Sequence, residues 1–318
     1  MNTNISTRLA AAPISWGVCE VPNWGYQLDA DRVLSEMAEL GVTATEFGPA
    51  GFLPTEPGPR AEVLSRYGLQ AIGGFFPVIL HDAGKDPLEA VQPELDAYEA
   101  AGAQVMVLAA ETGVEGYDQR HELDAEGWTL FGRNLDRIVR AAADRGVAAV
   151  LHPHVGTMVE SAADVRRVLD DTSADLCLDT GHLLIGGTDP RALAREFASR
   201  IGHTHLKDVR AELAARVQAG DLTYTDAVKA GMYVPLGQGD VGIADIVASL
   251  TASGYRGWFT MEQDTILETV PEGDGPASDV RISVAFLRSL EDAAQGTAKG
   301  TAHDGGALAG GSARGGAA

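Results

Sequence analysis

Short apolar runs rich in β-branched residues alternate along this chain with longer segments of helical periodicity. Each run is apolar enough to predict a strand that is buried on both faces. In the helical segments apolar residues recur three and four positions apart, which predicts one buried face per helix. The predicted strands are Leu9–Trp16, Thr43–Gly48, Leu69–Pro77, Gln104–Ala109, Val147–Pro153, Ala174–Thr180, Gly202–Leu206 and Gly257–Glu262. The clearest predicted helices are Asp29–Leu40, Leu88–Ala101, Ala125–Arg145 and Ala162–Leu169.

Glycine ends many of the helical segments directly before the next strand, which is the usual way to close a helix C-terminus. Eight strands, each followed by a helix, predict an α/β protein with a closed parallel (β/α)8 TIM barrel. The alternative is an open doubly wound sheet, which would carry a glycine-rich dinucleotide-binding turn after the first strand. The segment Ser15–Cys19 is not such a turn, so we favour the barrel. The glycines that end predicted helical segments are Gly41, Gly68, Gly102, Gly146 and Gly254.

The spacing of polar strand ends predicts the domain organisation. His152, Asp179 and His205 follow one another at intervals of 27 and 26 residues, but Glu262 follows only 57 residues later. The extra residues, roughly 30 around 208–242, predict a lid, because long insertions in compact domains are usually lids or binding loops. From residue 295 onward 15 of 24 residues are Gly or Ala, a composition that predicts disorder. We therefore expect one barrel domain, 1–294, and a disordered tail, 295–318.

Charge and composition exclude several classes of function. The chain has 318 residues, with 24 Lys plus Arg against 45 Asp plus Glu and a net charge of −21. Nucleic-acid binding through a broad basic face and adhesion to anionic membranes are both disfavoured by this balance. There are two cysteines, no apolar stretch long enough to span a membrane, and no signal-peptide pattern at the start. We expect a cytoplasmic protein with a small-molecule substrate and neither nucleic-acid nor membrane partners.

Four polar residues that close consecutive strands suggest a metal site. They are His152, Asp179, His205 and Glu262. In a TIM barrel the C-terminal strand ends form the active-site face, so these side chains are expected to meet. Two imidazoles and two carboxylates suit Mn²⁺, Co²⁺, Fe²⁺ or Zn²⁺. The alternative for each residue is an ordinary buried polar group paired with a neighbour, and four such residues in register favour the metal.

Further titratable residues near these strand ends are candidates for acid–base chemistry. His154 lies two positions past His152 and so on the same side of an extended strand. His154 and His182 start from pKa values near 6.5 and could act as acid or base, or they could orient the metal ligands. Lys207 could stabilise an enolate oxygen, or it could pair with Asp208 or Asp179. Other residues expected nearby are Glu46, Gln263 and His203, the last as a residue that orients its neighbours.

Several of these segments together resemble the xylose-isomerase-like sugar isomerase/epimerase superfamily, and within it the inosose dehydratase branch. They are PISWGVCEVPNWG, HPHVGT, LDTGH, HTHLKDVR, AGMYVPLGQGDVG and GYRGWFTMEQD, and the resemblance covers about residues 8–290. DTGH and HLKD occur across the superfamily, whereas the first segment and the long insertion are more particular to the dehydratase branch. The resemblance implies a metal on His152, Asp179, His205 and Glu262. It also implies Mn²⁺ or Co²⁺ as that metal, with glutathione as an accessory cofactor.

The resemblance implies a dehydratase that removes water from 2-keto-myo-inositol to give a trihydroxycyclohexane-1,2-dione through an enolate. His154 and Glu262 are the candidate bases, and His182 or Lys207 the candidate acid. The alternative is a metal-dependent inosose or ketose epimerase or isomerase. Many epimerases of the superfamily have Glu where His152 stands, which favours the dehydratase and leaves open whether His152 or His154 binds the metal. A homo-oligomer is left open as well.

Overall fold

Parallel strands close into a barrel in this computed structural model, which describes residues 4–119 and 121–304. In chain order the strands are β1 (Leu9–Ala11), β2 (Ala44–Glu46), β3 (Gln70–Val78), β4 (Val105–Ala110), β5 (Ala148–His152), β6 (Asp175–Asp179), β7 (Ile201–Leu206), β8 (Asp208–Val209), β9 (Tyr233–Val234) and β10 (Phe259–Met261). The order around the barrel is β1-β10-β7-β6-β5-β4-β3-β2. The barrel closes through β1, which pairs in parallel with both β2 and β10.

Each of the eight predicted strands overlaps one barrel strand, so the predicted TIM barrel is confirmed. The first strand is shorter than the predicted Leu9–Trp16, because it ends at Ala11. Pro13 lacks an amide donor for a strand ladder and instead begins the 3-10 turn Pro13–Trp16. Gly17 then closes that turn with a φ of 81°, in the left-handed region that favours glycine.

Helices surround the barrel and cover the outer faces of its strands. All five glycines predicted to end helices have positive φ, between 69° and 87°. Three of the predicted helices begin where expected. The side chains of Asp29, Asp124 and Ser161 precede them and accept hydrogen bonds from backbone amides in the first helical turn. The helices are α1 (Ala30–Glu39), α2 (Pro57–Arg66), α3 (Pro87–Ala101), α4 (Ala125–Ala143), α5 (Ala162–Asp171), α6 (Thr180–Ile185), α7 (Pro190–Glu196), α8 (Ala211–Gln218), α9 (Tyr224–Lys229), α10 (Ile243–Ala252) and α11 (Ala277–Asp304).

The insertion at 208–242 lies between β7 and β10 and has its own structure. It contains α8, α9 and the antiparallel pair β8–β9. The carboxylate of Asp208 is buried and accepts the amide protons of Gly237, Gly239 and Val241 at 2.8, 3.0 and 3.2 Å. The glycine-rich segment before α10 therefore wraps around a carboxylate of the protein itself.

The last helix, α11, extends past the predicted domain boundary. It reaches Asp304, so the first ten residues of the predicted tail continue this helix. The remaining tail residues, 305–318, lie outside the described part of the chain. Among the described residues, no helix is both long and apolar enough to cross a membrane.

Candidate metal centre and active site

The four predicted metal ligands come together at the C-terminal end of the barrel. Asp179 Oδ2 lies 3.1 Å from His152 Nε2 and 3.7 Å from His205 Nδ1. His205 Nδ1 in turn lies 3.1 Å from Glu262 Oε2. All four side chains are buried, and the register of the barrel places Asp179 directly beside His205. The strand ends thus form one continuous chain of possible ligand atoms.

The arrangement around His205 fits a divalent cation. Its Nε2 lies 2.7 Å from Glu46 Oε1. Because a carboxylate only accepts, Nε2 carries a proton, which leaves Nδ1 as the ring nitrogen that can bind a cation. Burial alone would lower the pKa of His205, but the acidic groups around the ring raise it well above the usual histidine value, so a cation bound at Nδ1 replaces a second proton. This buried Nδ1 makes no hydrogen bond, although it faces the carboxylates of Asp179 and Glu262. Ligands about 2.1 Å from one ion lie roughly 3.0–3.4 Å apart in octahedral or tetrahedral geometry, close to the spacing seen here.

Glu46 connects the candidate metal ligand to the opposite side of the barrel. It ends β2, and its Oε1 accepts hydrogen bonds from both His205 Nε2 and His203 Nε2, the latter at 2.9 Å. Burial alone would raise the pKa of Glu46, but the two histidines lower it well below the ordinary glutamate value. A carboxylate behind a metal-ligating histidine fixes the tautomer and orientation of its ring. His203 thus shares the carboxylate of Glu46 with His205, and its ring also packs edge-on against the His205 ring, with a centroid distance of 5.3 Å.

His154 and His182 form a stacked pair beside the ligands. The Nδ1 of His154 lies 2.7 Å from the carbonyl oxygen of Val155, to which it donates, so Nε2 presents the lone pair. The ring of His154 packs between Tyr117 and His182, with centroid distances of 4.2 and 3.6 Å. Burial and the nearby Lys207 ammonium lower the pKa values of both histidines well below the usual value. Both imidazoles are therefore neutral at neutral pH.

Lys207 places a buried ammonium among the carboxylates of the strand ends. Its Nζ lies 2.7 Å from Asp264 Oδ1 and 3.0 Å from Glu262 Oε2. Asp179 Oδ2 lies 3.4 Å away, so of the two pairings considered from the sequence, the structure shows the one with Asp179 and not that with Asp208. Burial alone would lower the pKa of Lys207, but the three carboxylates raise it well above the usual lysine value.

A cavity with roughly 590 Å³ of empty space, part of it open to solvent, lies over these residues. His182 is not among the residues that line it; it lies behind the cavity wall, with its Nε2 3.1 Å from Lys207 Nζ. The polar lining consists of Glu20, Glu46, Tyr117, His152, His154, His205, Lys207, Tyr224, Glu262 and Asp264, and the apolar wall includes Val18, Trp24 and Phe75.

Four polar cavity residues escaped the sequence analysis: Glu20, Tyr117, Tyr224 and Asp264. Asp264 lies two positions past Glu262, the same spacing that drew attention to His154, so this signal was available. Tyr224 comes from α9 of the insertion, and Tyr117 from the loop after β4. No pattern in the sequence indicates which tyrosine of a loop or insertion will lie over the open end of the barrel. Tyr117 and Tyr224 could therefore be found only from the structure.

Comparison with known proteins finds one matching family, similar curated proteins and solved structures with the same fold. Residues 34–290 match the family described as xylose isomerase-like TIM barrel. The chain is 34% identical over 273 residues to the rhizopine catabolism protein MocC of Rhizobium meliloti, an alignment that covers 83% of each chain. It is 32% identical over 270 residues to the inosose dehydratase of Geobacillus kaustophilus, covering 81% of this chain and 87% of that one. A solved L-ribulose 3-epimerase superposes with a TM-score of 0.67 at 17% identity, over 92% and 97% of the two chains, and shares the fold.

Proposed function

Because the chain belongs to the xylose isomerase-like TIM barrel family, we propose that it is a metal-dependent dehydratase of a cyclic polyhydroxy ketone. The observation that carries this proposal is the convergence of the buried Nδ1 of His205 with two carboxylates, beside the cavity-lining imidazole of His154 and the buried ammonium of Lys207. Several relatives named inosose dehydratase, 27–32% identical, support the substrate class. The proposed reaction is 2-keto-myo-inositol to a trihydroxycyclohexane-1,2-dione.

The proposed metal is Mn²⁺ or Co²⁺, held by His152, Asp179, His205 and Glu262. Imidazole and carboxylate together suit these borderline ions. When bound, such a cation supplies Lewis-acid polarisation of the substrate ketone. Between His152 and His154, we assign the ligand role to His152, whose Nε2 lies beside Asp179, whereas His154 makes no contact with that carboxylate in the structure. Glutathione stays a prediction of the resemblance.

The base and the acid are assigned by geometry. His154 lines the cavity with its Nδ1 proton already donated to Val155, so its Nε2 is the proposed base. Glu262 is the second candidate, although its Oε2 already contacts both His205 and Lys207. Lys207 is the proposed acid, because it lines the cavity and carries protons. His182 accepts from Lys207 behind the cavity wall and is therefore proposed to position it.

The proposed elimination uses these groups in one step each. The base removes the proton from the α carbon next to the ketone, and the electron pair of that bond delocalises onto the ketone oxygen as an enolate. The enolate then forms a double bond between the α and β carbons. The carbon–oxygen bond at the β carbon breaks, and Lys207 gives its proton to the departing hydroxide, which leaves as water. The remaining enol carries a hydroxyl on its double bond and tautomerises to the dione. Residues 208–242 are proposed as the lid that excludes bulk water from the enolate.

Proton NMR in D₂O tests this function directly. Purified protein loaded with Zn²⁺, which is diamagnetic, and a trace of Mn²⁺ is incubated with 2-keto-myo-inositol, and Asp179→Ala protein serves as the control. Loss of the ring signals together with appearance of the dione supports the dehydratase. Deuterium incorporation or a new ring epimer without loss of water would assign an epimerase instead. An unchanged spectrum would exclude this substrate.

A further inference from the structure

A hydrogen-bonded chain joins the insertion to the buried ammonium. The hydroxyl of Tyr224, on α9, donates to Asp264 Oδ2, and the other oxygen of that carboxylate lies 2.7 Å from Lys207 Nζ. The hydroxyl of Tyr233, on β9, lies 3.1 Å from that of Tyr224. All four side chains are buried, so solvent does not compete for these bonds. The carboxylate of Asp264 therefore links the insertion to the proposed acid by hydrogen bonds.

We propose that Tyr224 and Asp264, here called the latch, position Lys207 for the reaction. Because Tyr224 belongs to the insertion, the direction of the Lys207 ammonium depends on the insertion being packed against the barrel. Both are positioning residues, since their bonds to one another and to Lys207 are what the structure shows. The kinetic part of this inference rests on the proposed function, whereas the structural part does not.

The need for a latch follows from the surroundings of Lys207. Its ammonium has three protons, but four acceptors lie within 3.4 Å: Asp264, Glu262, Asp179 and the Nε2 of His182. The direction of the ammonium therefore depends on which acceptors are held in place. Asp264 is the nearest of the four, and the bond from Tyr224 holds its second oxygen.

Packing of the lysine stem supports the same conclusion. A Cβ added at Gly181 would lie 2.8 Å from Lys207 Cβ and 2.8 Å from the ring of Tyr233. The stem is thus confined between the first turn of α6 and the ring of Tyr233 on β9, and the Nζ lies 5.5 Å from the centre of that ring. With the stem confined, the remaining freedom is at the ammonium, which the latch restrains.

The first test is kinetic and uses Tyr224→Phe, which keeps the ring and removes one hydroxyl. We expect kcat to fall roughly 10- to 100-fold with KM changed less than about threefold, as for other displaced catalytic groups. In a Lys207→Met background the same substitution should cause no further loss. The matched control is Tyr255→Phe, which removes a hydroxyl that donates to Trp258 O at 3.0 Å, before the start of β10. A kcat as high as that of the control would overturn the catalytic role.

The second test needs no substrate. The chain has four lysines, Lys85, Lys207, Lys229 and Lys299, so ¹⁵N-lysine labelling gives a simple spectrum. The Lys207 ammonium signal is identified by its loss in Lys207→Met. We expect Tyr224→Phe to shift this signal and to speed its proton exchange with water, and Tyr255→Phe to leave it in place. An unmoved signal in Tyr224→Phe would overturn the latch. A moved signal in a protein that does not turn over 2-keto-myo-inositol would keep the latch and reject the proposed function.

Discussion

Glu46→Gln probes the orientation of the proposed metal ligand His205 without changing any of the four proposed ligands. The substitution keeps the shape of the side chain but removes the charge that holds the imidazole protons of His205 and His203. Hydrogen bonds to charged groups contribute about 1.5–3 kcal/mol and neutral ones about 0.5–1.5 kcal/mol. The difference of about 1–1.5 kcal/mol for the His205 bond alone corresponds to about tenfold in affinity. Loss of the fixed tautomer adds to this, so we expect the Kd for Mn²⁺ to rise roughly 10- to 100-fold.

Isothermal titration of metal-free protein with Mn²⁺ measures this effect, and circular dichroism verifies that the variant is folded. The matched control is Glu36→Gln on α1, whose carboxylate accepts the indole proton of Trp16 at 2.7 Å, outside the barrel interior. The control should bind Mn²⁺ as the wild type does. Equal Kd values for wild type and Glu46→Gln would refute the argument that Glu46 orients a metal ligand.

Three further predictions address the site and the insertion. Replacing His154 with Ala should slow turnover about 10²- to 10⁴-fold while elemental analysis still finds stoichiometric metal; full activity would remove His154 from the mechanism. Asp179→Ala should lose the metal by the same analysis, and so should Asp179→Asn, which retains an acceptor for the amides that begin α6; a fully metallated variant would contradict the site. Deleting residues 211–223 should lower turnover while the thermal unfolding of the barrel is retained, and an unchanged turnover number would show that the insertion serves another purpose.

The barrel and its strand-end residues were predictable because both follow from local sequence. A strand covered by helices on one side and by the barrel interior on the other must be apolar along its length, so each appears as an uninterrupted run. Parallel strands bring their C-terminal ends to one face, so polar residues that close consecutive runs must lie near one another. This reasoning predicts that His152, Asp179, His205 and Glu262 lie close together, as they do in the structure.

The partners of these residues depend on three-dimensional register, which local sequence does not encode. Glu46 lies 159 residues from His205, and their contact across the barrel follows an irregularity in pairing between Thr45 and Glu46. The insertion was visible as extra length, but the docking of Tyr224 on Asp264 depends on how α9 packs over the barrel mouth. Sequence spacing shows where such residues lie along the chain, but it does not show which of them contact one another.

Anomalous diffraction at the manganese edge, from crystals of protein loaded with Mn²⁺, is the most direct test of the metal centre on which this account depends. The account predicts one strong peak bounded by the side chains of His152, Asp179, His205 and Glu262, with His154 and Lys207 facing the ion from the cavity. A peak at another place, or no peak in crystals shown to contain manganese, would contradict it.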